Sequence, residues 1–109
     1  MVGFSSCTVL FNDNCALVHL HGELDACSVS CLRASLMPVA MTGRDVIIDL
    51  ARLYFVDTAG VVALIDLQRE ACRAGGSLRL TKPPRLLRRL LQLVGMREEF
   101  TIADQVPSV

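Results

Sequence analysis

Asp45-Val46-Ile47-Ile48-Asp49-Leu50, followed shortly by Val56-Asp57-Thr58-Ala59-Gly60-Val61, is the stretch that decides the fold. Val46, Ile47 and Ile48 are consecutive and apolar, as in a strand covered on both faces. The run from Val61 to Ala74 has helical spacing, with Val61, Val62, Leu64, Ile65, Leu67 and Ala71 as its inward stripe. A central strand therefore hands over to a helix near Asp57-Thr58. A helix N-terminus collects unpaired backbone N–H groups and favours negative charge. A hydroxyl there has two readings, a plain helix cap or a phosphate acceptor, and the local sequence leaves both open.

Working towards the N-terminus, Phe4 to Phe11 and Cys15 to His21 read as two strands joined by an Asn12-Asp13-Asn14 turn, a hairpin. Gly22-Glu23-Leu24-Asp25 ends the second strand. Asp25 or Ser28 then caps a helix to about Met41, with Leu32, Leu36, Val39 and Ala40 inward and a kink or early end expected at Pro38. Working towards the C-terminus, Gly75-Gly76 stops the Thr58–Ala74 helix and Ser77 to Thr81 is a short strand. Lys82-Pro83-Pro84 starts a helix to about Val94, with Leu86, Leu87, Leu90, Leu91 and Val94 inward and Arg85, Arg88, Arg89 and Gln92 outward. Phe100 to Ile102 reads as a last short strand, and residues 103–109 as a loose tail. The result is an α/β fold: a mixed four- to five-stranded sheet with an N-terminal β-hairpin and three main helices.

The 109 residues suit one domain, 1–109, with 52% apolar content sufficient for a core. Eleven basic and eleven acidic side chains cancel, which argues against direct nucleic-acid binding through a strong field. No apolar run approaches the roughly 18 residues of a membrane span, and Met1 to Ser6 does not read as a signal peptide. The expected compartment is the cytoplasm, with no membrane partner. Five cysteines, an odd number, then read as reduced thiols. Cys27 and Cys31, four apart on an expected helix, would lie about 5–6 Å apart at Cβ, too far for a disulfide. No metal-ligand spacing joins the cysteines to His19 or His21, and no cofactor is expected.

A catalytic set is equally hard to find. The chain has no Gly-rich phosphate loop, no zinc motif and no nucleophile–base arrangement at a known spacing. Glu23 and Asp25 read as a turn with a helix cap. Asp57-Thr58 is thus the leading site candidate. Gly60, in the first helical turn, is costly as a helix former, and a small residue there lets another molecule approach the backbone.

Asp49-Leu50 with Phe55-Val56-Asp57-Thr58-Ala59-Gly60-Val61 resembles the core signature of STAS domains, specifically bacterial anti-sigma factor antagonists. Leu20-His21-Gly22-Glu23-Leu24-Asp25, Gly75-Gly76 and Leu90 to Met96 resemble that family's other landmarks, in the same order along nearly the whole chain. The usual motif is Asp-Ser-Ser-Gly, and its first hydroxyl residue accepts phosphate. That position is Thr58 here, and Ala59 replaces the second serine.

The resemblance implies a protein that docks on an anti-sigma factor, commonly also a Ser/Thr kinase, and so releases a sigma factor. Phosphorylation of Thr58 would end docking, and a phosphatase would restore it. Glu23, Leu24, Asp25, Asp57, Ala59 and Gly60 are then expected near the partner, while Val61 and Val62 anchor the helix. The chain would be a substrate, not an enzyme. Alternatives on the same fold are a non-phosphorylated scaffold, a transporter accessory subunit, or a thiol-based redox sensor using Cys27, Cys31 or Cys72.

Overall fold

A computed structural model describes residues 6–95 and 100–103. Its elements run β1 (Ser6–Phe11), β2 (Cys15–Leu24), α1 (Val29–Ala40), β3 (Asp45–Val56), α2 (Thr58–Arg73), β4 (Ser77–Thr81), α3 (Arg85–Leu93) and β5 (Thr101–Ala103). The five strands lie in chain order, β1-β2-β3-β4-β5. β1 is antiparallel to β2, closed by the expected turn, where the Asn12 side chain accepts from the Asn14 and Cys15 N–H groups at 2.9 and 2.7 Å. Every later neighbour is parallel. Parallel neighbours need crossovers, and crossovers share one hand. Because the strand order never reverses, α1, α2 and α3 all fall on the same face of the sheet, α1 against α2 and α2 against α3.

The core lies between that face and the helices. Ala16, Val18 and Leu20 of β2, Val46, Ile48 and Leu50 of β3, and Leu78 and Leu80 of β4 meet Leu32, Leu36, Leu64, Leu67, Leu87 and Leu91 from the helices. On the opposite face Leu17 pairs in register with Ile47, both buried. Beside them, His19 Nδ1 lies 2.9 Å from Asp49 Oδ2. Central strands with apolar residues on both faces are what the Val46-Ile47-Ile48 run implies.

Several expected boundaries move. β2 continues through Gly22, Glu23 and Leu24, and β3 continues six residues beyond Leu50 to Val56. The two extensions pair with each other, and β3 carries the extra residues at register shifts between His19 and His21 and between Gly22 and Glu23. Those bulges break the alternation that marks a strand. Of the two expected cap positions, Ser28 is the N-cap and α1 starts at Val29, so Cys27 stands in the preceding turn and not on a helical face with Cys31. α1 runs two residues past Pro38 and closes with Met41 N–H on Met37 O at 3.1 Å, so the proline falls in the last turn. Val62 is 50% exposed and does not anchor α2; Ala63 takes the buried position. On α3 only Leu87 and Leu91 are buried, and Leu86 and Val94 face outward, because the short helix buries a narrow stripe. Phe100 precedes β5 and fills the core, while Ala103, expected in a loose tail, pairs with Thr81. Residues 1–5 and 104–109, which include the start of the first expected strand and most of that tail, lie outside the described residues.

Candidate functional site

α2 begins where β3 ends, and Asp57 makes the junction. Its backbone is extended, at φ −114° and ψ −173°, and its Oδ1 accepts the Gly60 N–H at 3.1 Å. Its own N–H donates to Leu24 O at 3.1 Å, and its carbonyl accepts from Val61 N–H at 3.0 Å. Asp57 is therefore the N-cap. Thr58 is the first helical residue, exposed, and the cap bond is made without it. Of the two readings of Thr58, the plain cap fails: that task is already filled one residue earlier.

Gly60 has a structural reason to be glycine. A Cβ there would lie 2.5 Å from Leu24 O, 2.7 Å from Leu24 Cγ and 2.9 Å from Val56 Cγ2. The residue is buried, so the close approach it permits is by β2, not by a second molecule. Leu24 is 1% exposed and belongs to the core. Leu24 and Gly60 are thus removed from the expected partner-facing set. They position the site instead, locking the end of β2 against the first turn of α2.

The other loop at this end is knitted by Asp25 and Ser28. Asp25 Oδ1 accepts from the Cys27 and Ser28 N–H groups, both at 3.0 Å. Ser28 Oγ donates to Glu23 O at 2.9 Å and accepts from Asp25 N–H at 3.0 Å. Glu23 pairs in register with Phe55, and Leu24 with Val56. Glu23 on β2 and Asp25 in the loop that follows it therefore stand beside the strand that delivers Asp57. Parallel sheets expose their ligand sites at these carboxyl ends. Ala59, half-buried, completes the group.

Sequence reasoning did not single out three exposed apolar residues near Thr58 in the chain. Tyr54 is 66% exposed, Phe55 41% and Val62 50%. Val62 lies four residues after Thr58, on the same helical face, and that spacing was the available signal. Tyr54 and Phe55 belong to the bulged extension of β3, where no periodicity marked them.

A family model described as "Mlab, STAS domain" matches residues 7–103. The chain belongs to the STAS domain family. Its relative in Bacillus subtilis (strain 168), an anti-sigma-B factor antagonist, is 30% identical over 92 residues, 84% of each chain. Among solved structures, an anti-sigma factor antagonist from Mycobacterium paratuberculosis superposes with a TM-score of 0.82 at 19% identity, covering 94% of this chain and 88% of that one. The Bacillus cell fate determinant SpoIIAA in its phosphorylated form gives a TM-score of 0.72 at 24% identity, covering 92% and 93%. At these identities the likeness speaks to the fold.

In this STAS domain the five cysteines are separate thiols: Cys27, Cys31 and Cys72 exposed, Cys7 and Cys15 partly buried. Burial pushes the Cys7 thiol up from its ordinary value. Cys7 and Cys31 line one narrow cleft between the hairpin and α1. Among the described residues no group of three or more His, Cys, Asp or Glu side chains is placed to hold a metal ion. No described helix is long and apolar enough to cross a membrane.

Proposed function

We propose that this STAS domain is an anti-sigma factor antagonist switched off by phosphorylation of Thr58. The observation that carries the reading is the division of labour at α2: Asp57 caps the helix and leaves the Thr58 hydroxyl exposed beside it. The relationship to the anti-sigma-B factor antagonist supports the partner class, an anti-sigma factor. A fold neighbour in a phosphorylated form supports the modification. The partner is also the kinase, and a separate phosphatase restores the hydroxyl. The domain acts in the cytoplasm as substrate and ligand, with no chemistry of its own.

In the transfer, Thr58 Oγ1 attacks the γ-phosphorus of ATP held by the partner. The bond to the ADP oxygen breaks, ADP leaves, and the hydroxyl proton passes to a base of the kinase. The product adds about −1.5 to −2 charges next to the Asp57 carboxylate. Within the domain the α2 N-terminus tolerates that charge. In an interface built on Tyr54, Phe55 and Val62 it imposes desolvation and repulsion. Glu23, Asp25 and Ala59 border the same contact.

Incubation with the cognate anti-sigma kinase and ATP is expected to add one phosphate, and Thr58→Ala to abolish it. Phosphate on another residue would remove Thr58 as acceptor. Thr58→Glu and Val62→Asp are each expected to weaken partner binding at least about tenfold, the equivalent of about 1.4 kcal/mol. Binding by Thr58→Glu as tight as the parent's would reject the charge block.

A further inference from the structure

From Ala71 to Arg97 the chain has no acidic residue, yet seven of its eleven basic residues fall there. The neutral total conceals an uneven distribution of charge along the sequence. Two of the three arginines on α1 and α2 have acidic partners, Arg33 with Asp66 at 2.8 Å and Arg73 with Glu70 at 2.7 Å; Arg69 makes no salt bridge among the described residues. On α3, Arg85, Arg88 and Arg89 make no salt bridge among the described residues. Arg88 Nε donates to Pro83 O at 3.4 Å.

Their placement on the helix is ordered. Leu87 and Leu91 face the core. At about 100° per residue, Arg89 points directly away from them, with Arg85 beside it and the half-buried Arg88 on the flank towards Leu91. Leu86 and Leu93 form the next stripe, beside Arg89. Leu93 is 75% exposed, too open to line a groove that would receive a partner helix. Arg85, Leu86, Arg88 and Arg89 border one shallow depression. Basic side chains next to projecting leucines on a helix anchored from behind are the arrangement of an interfacial helix. The guanidinium forks suit phosphate oxygens, and their stems cover apolar surface. A nucleic acid would use the arginines and leave the leucines in water.

We propose that the outer face of α3 docks peripherally on an anionic phospholipid bilayer. Arg85, Arg88 and Arg89 take lipid phosphates, and Leu86 and Leu93 enter the boundary of the acyl chains. No described helix is long and apolar enough to cross a membrane, and the contact proposed is at the surface. The contact uses none of the Thr58 group, so it stands apart from the proposed phosphorylation.

Co-sedimentation of the full chain with vesicles of about 30 mol% phosphatidylglycerol in phosphatidylcholine tests it. The expected result is vesicle binding that falls at least about fivefold on pure phosphatidylcholine, and falls similarly in high salt. The double variant Arg85→Glu/Arg89→Glu is expected to lose binding to the same degree. Leu93→Ser should weaken it less, and Thr58→Ala not at all. Circular dichroism establishes that each variant is folded, and Arg85→Gln/Arg89→Gln replaces the Glu pair if that pair is not. No pelleting, equal binding to both vesicle types, or full binding by a folded arginine variant would overturn the proposal. So would loss of vesicle binding to a short DNA duplex at a concentration lower than that of the competing lipid.

Discussion

A hydroxyl that caps a helix is held by the backbone N–H it satisfies, whereas a phosphate acceptor has to be free to approach ATP. At the α2 N-terminus these roles sit on adjacent residues, Asp57 on Gly60 N–H and Thr58 exposed. Asp57→Ala is therefore expected to cost about 1 kcal/mol in urea unfolding, and Thr58→Ala less than about 0.5 kcal/mol. The reverse order would return the cap to Thr58. Gly60→Ala should destabilise by about 1–3 kcal/mol or more, as overpacking does, because its Cβ would meet the Leu24 carbonyl at 2.5 Å. A loss under about 0.5 kcal/mol would show that β2 shifts freely. The sequence marked Gly60 as unusual but not why: besides Val56 Cγ2, the atoms it makes room for are contributed from 36 positions earlier, by Leu24. Helical spacing describes a helix's own faces and not what another strand brings against them.

The same limit appears at the level of elements. Helix existence and order were legible, since apolar spacing and the Gly and Pro stops depend on local geometry. The far half of β3 was not, because bulges opposite His19–His21 and Gly22–Glu23 disturb its alternation. That hidden half carries Tyr54 and Phe55, so the apolar part of the candidate interface was lost with it. The hairpin was read correctly, and it sets the reactivity of its cysteines. Cys7 faces α1 from β1, and burial raises its thiol, leaving less thiolate at a given pH. Cys27, Cys31 and Cys72 are exposed. Iodoacetamide near neutral pH is expected to label these three before Cys7, with the Cys7 rate climbing as pH rises. Peptide mass spectrometry reads the order, and first labelling at Cys7 would contradict its burial.

For the molecule as a whole, the strand order places α1, α2 and α3 on one face and brings the loops after β2 and β3 together at one end. The added phosphate would therefore stand outside the core, which is formed by residues such as Val18, Ile48, Leu64 and Leu80 behind it. Two local terms act on it. The α2 N-terminus stabilises an anion by about 0.3–1 kcal/mol, and the neighbouring Asp57 carboxylate opposes it with an exposed-pair repulsion of similar size. Neither approaches the stability typical of a domain, about 5–15 kcal/mol. Phosphorylated and unmodified protein are expected to unfold within about 1 kcal/mol of each other, with unchanged far-ultraviolet circular dichroism, although partner binding is lost. Added salt should narrow any difference, because both terms are screened. A phosphorylated form that unfolds several kcal/mol more easily would mean that the modification acts by disrupting the fold, and the interface would no longer be needed to explain the switch.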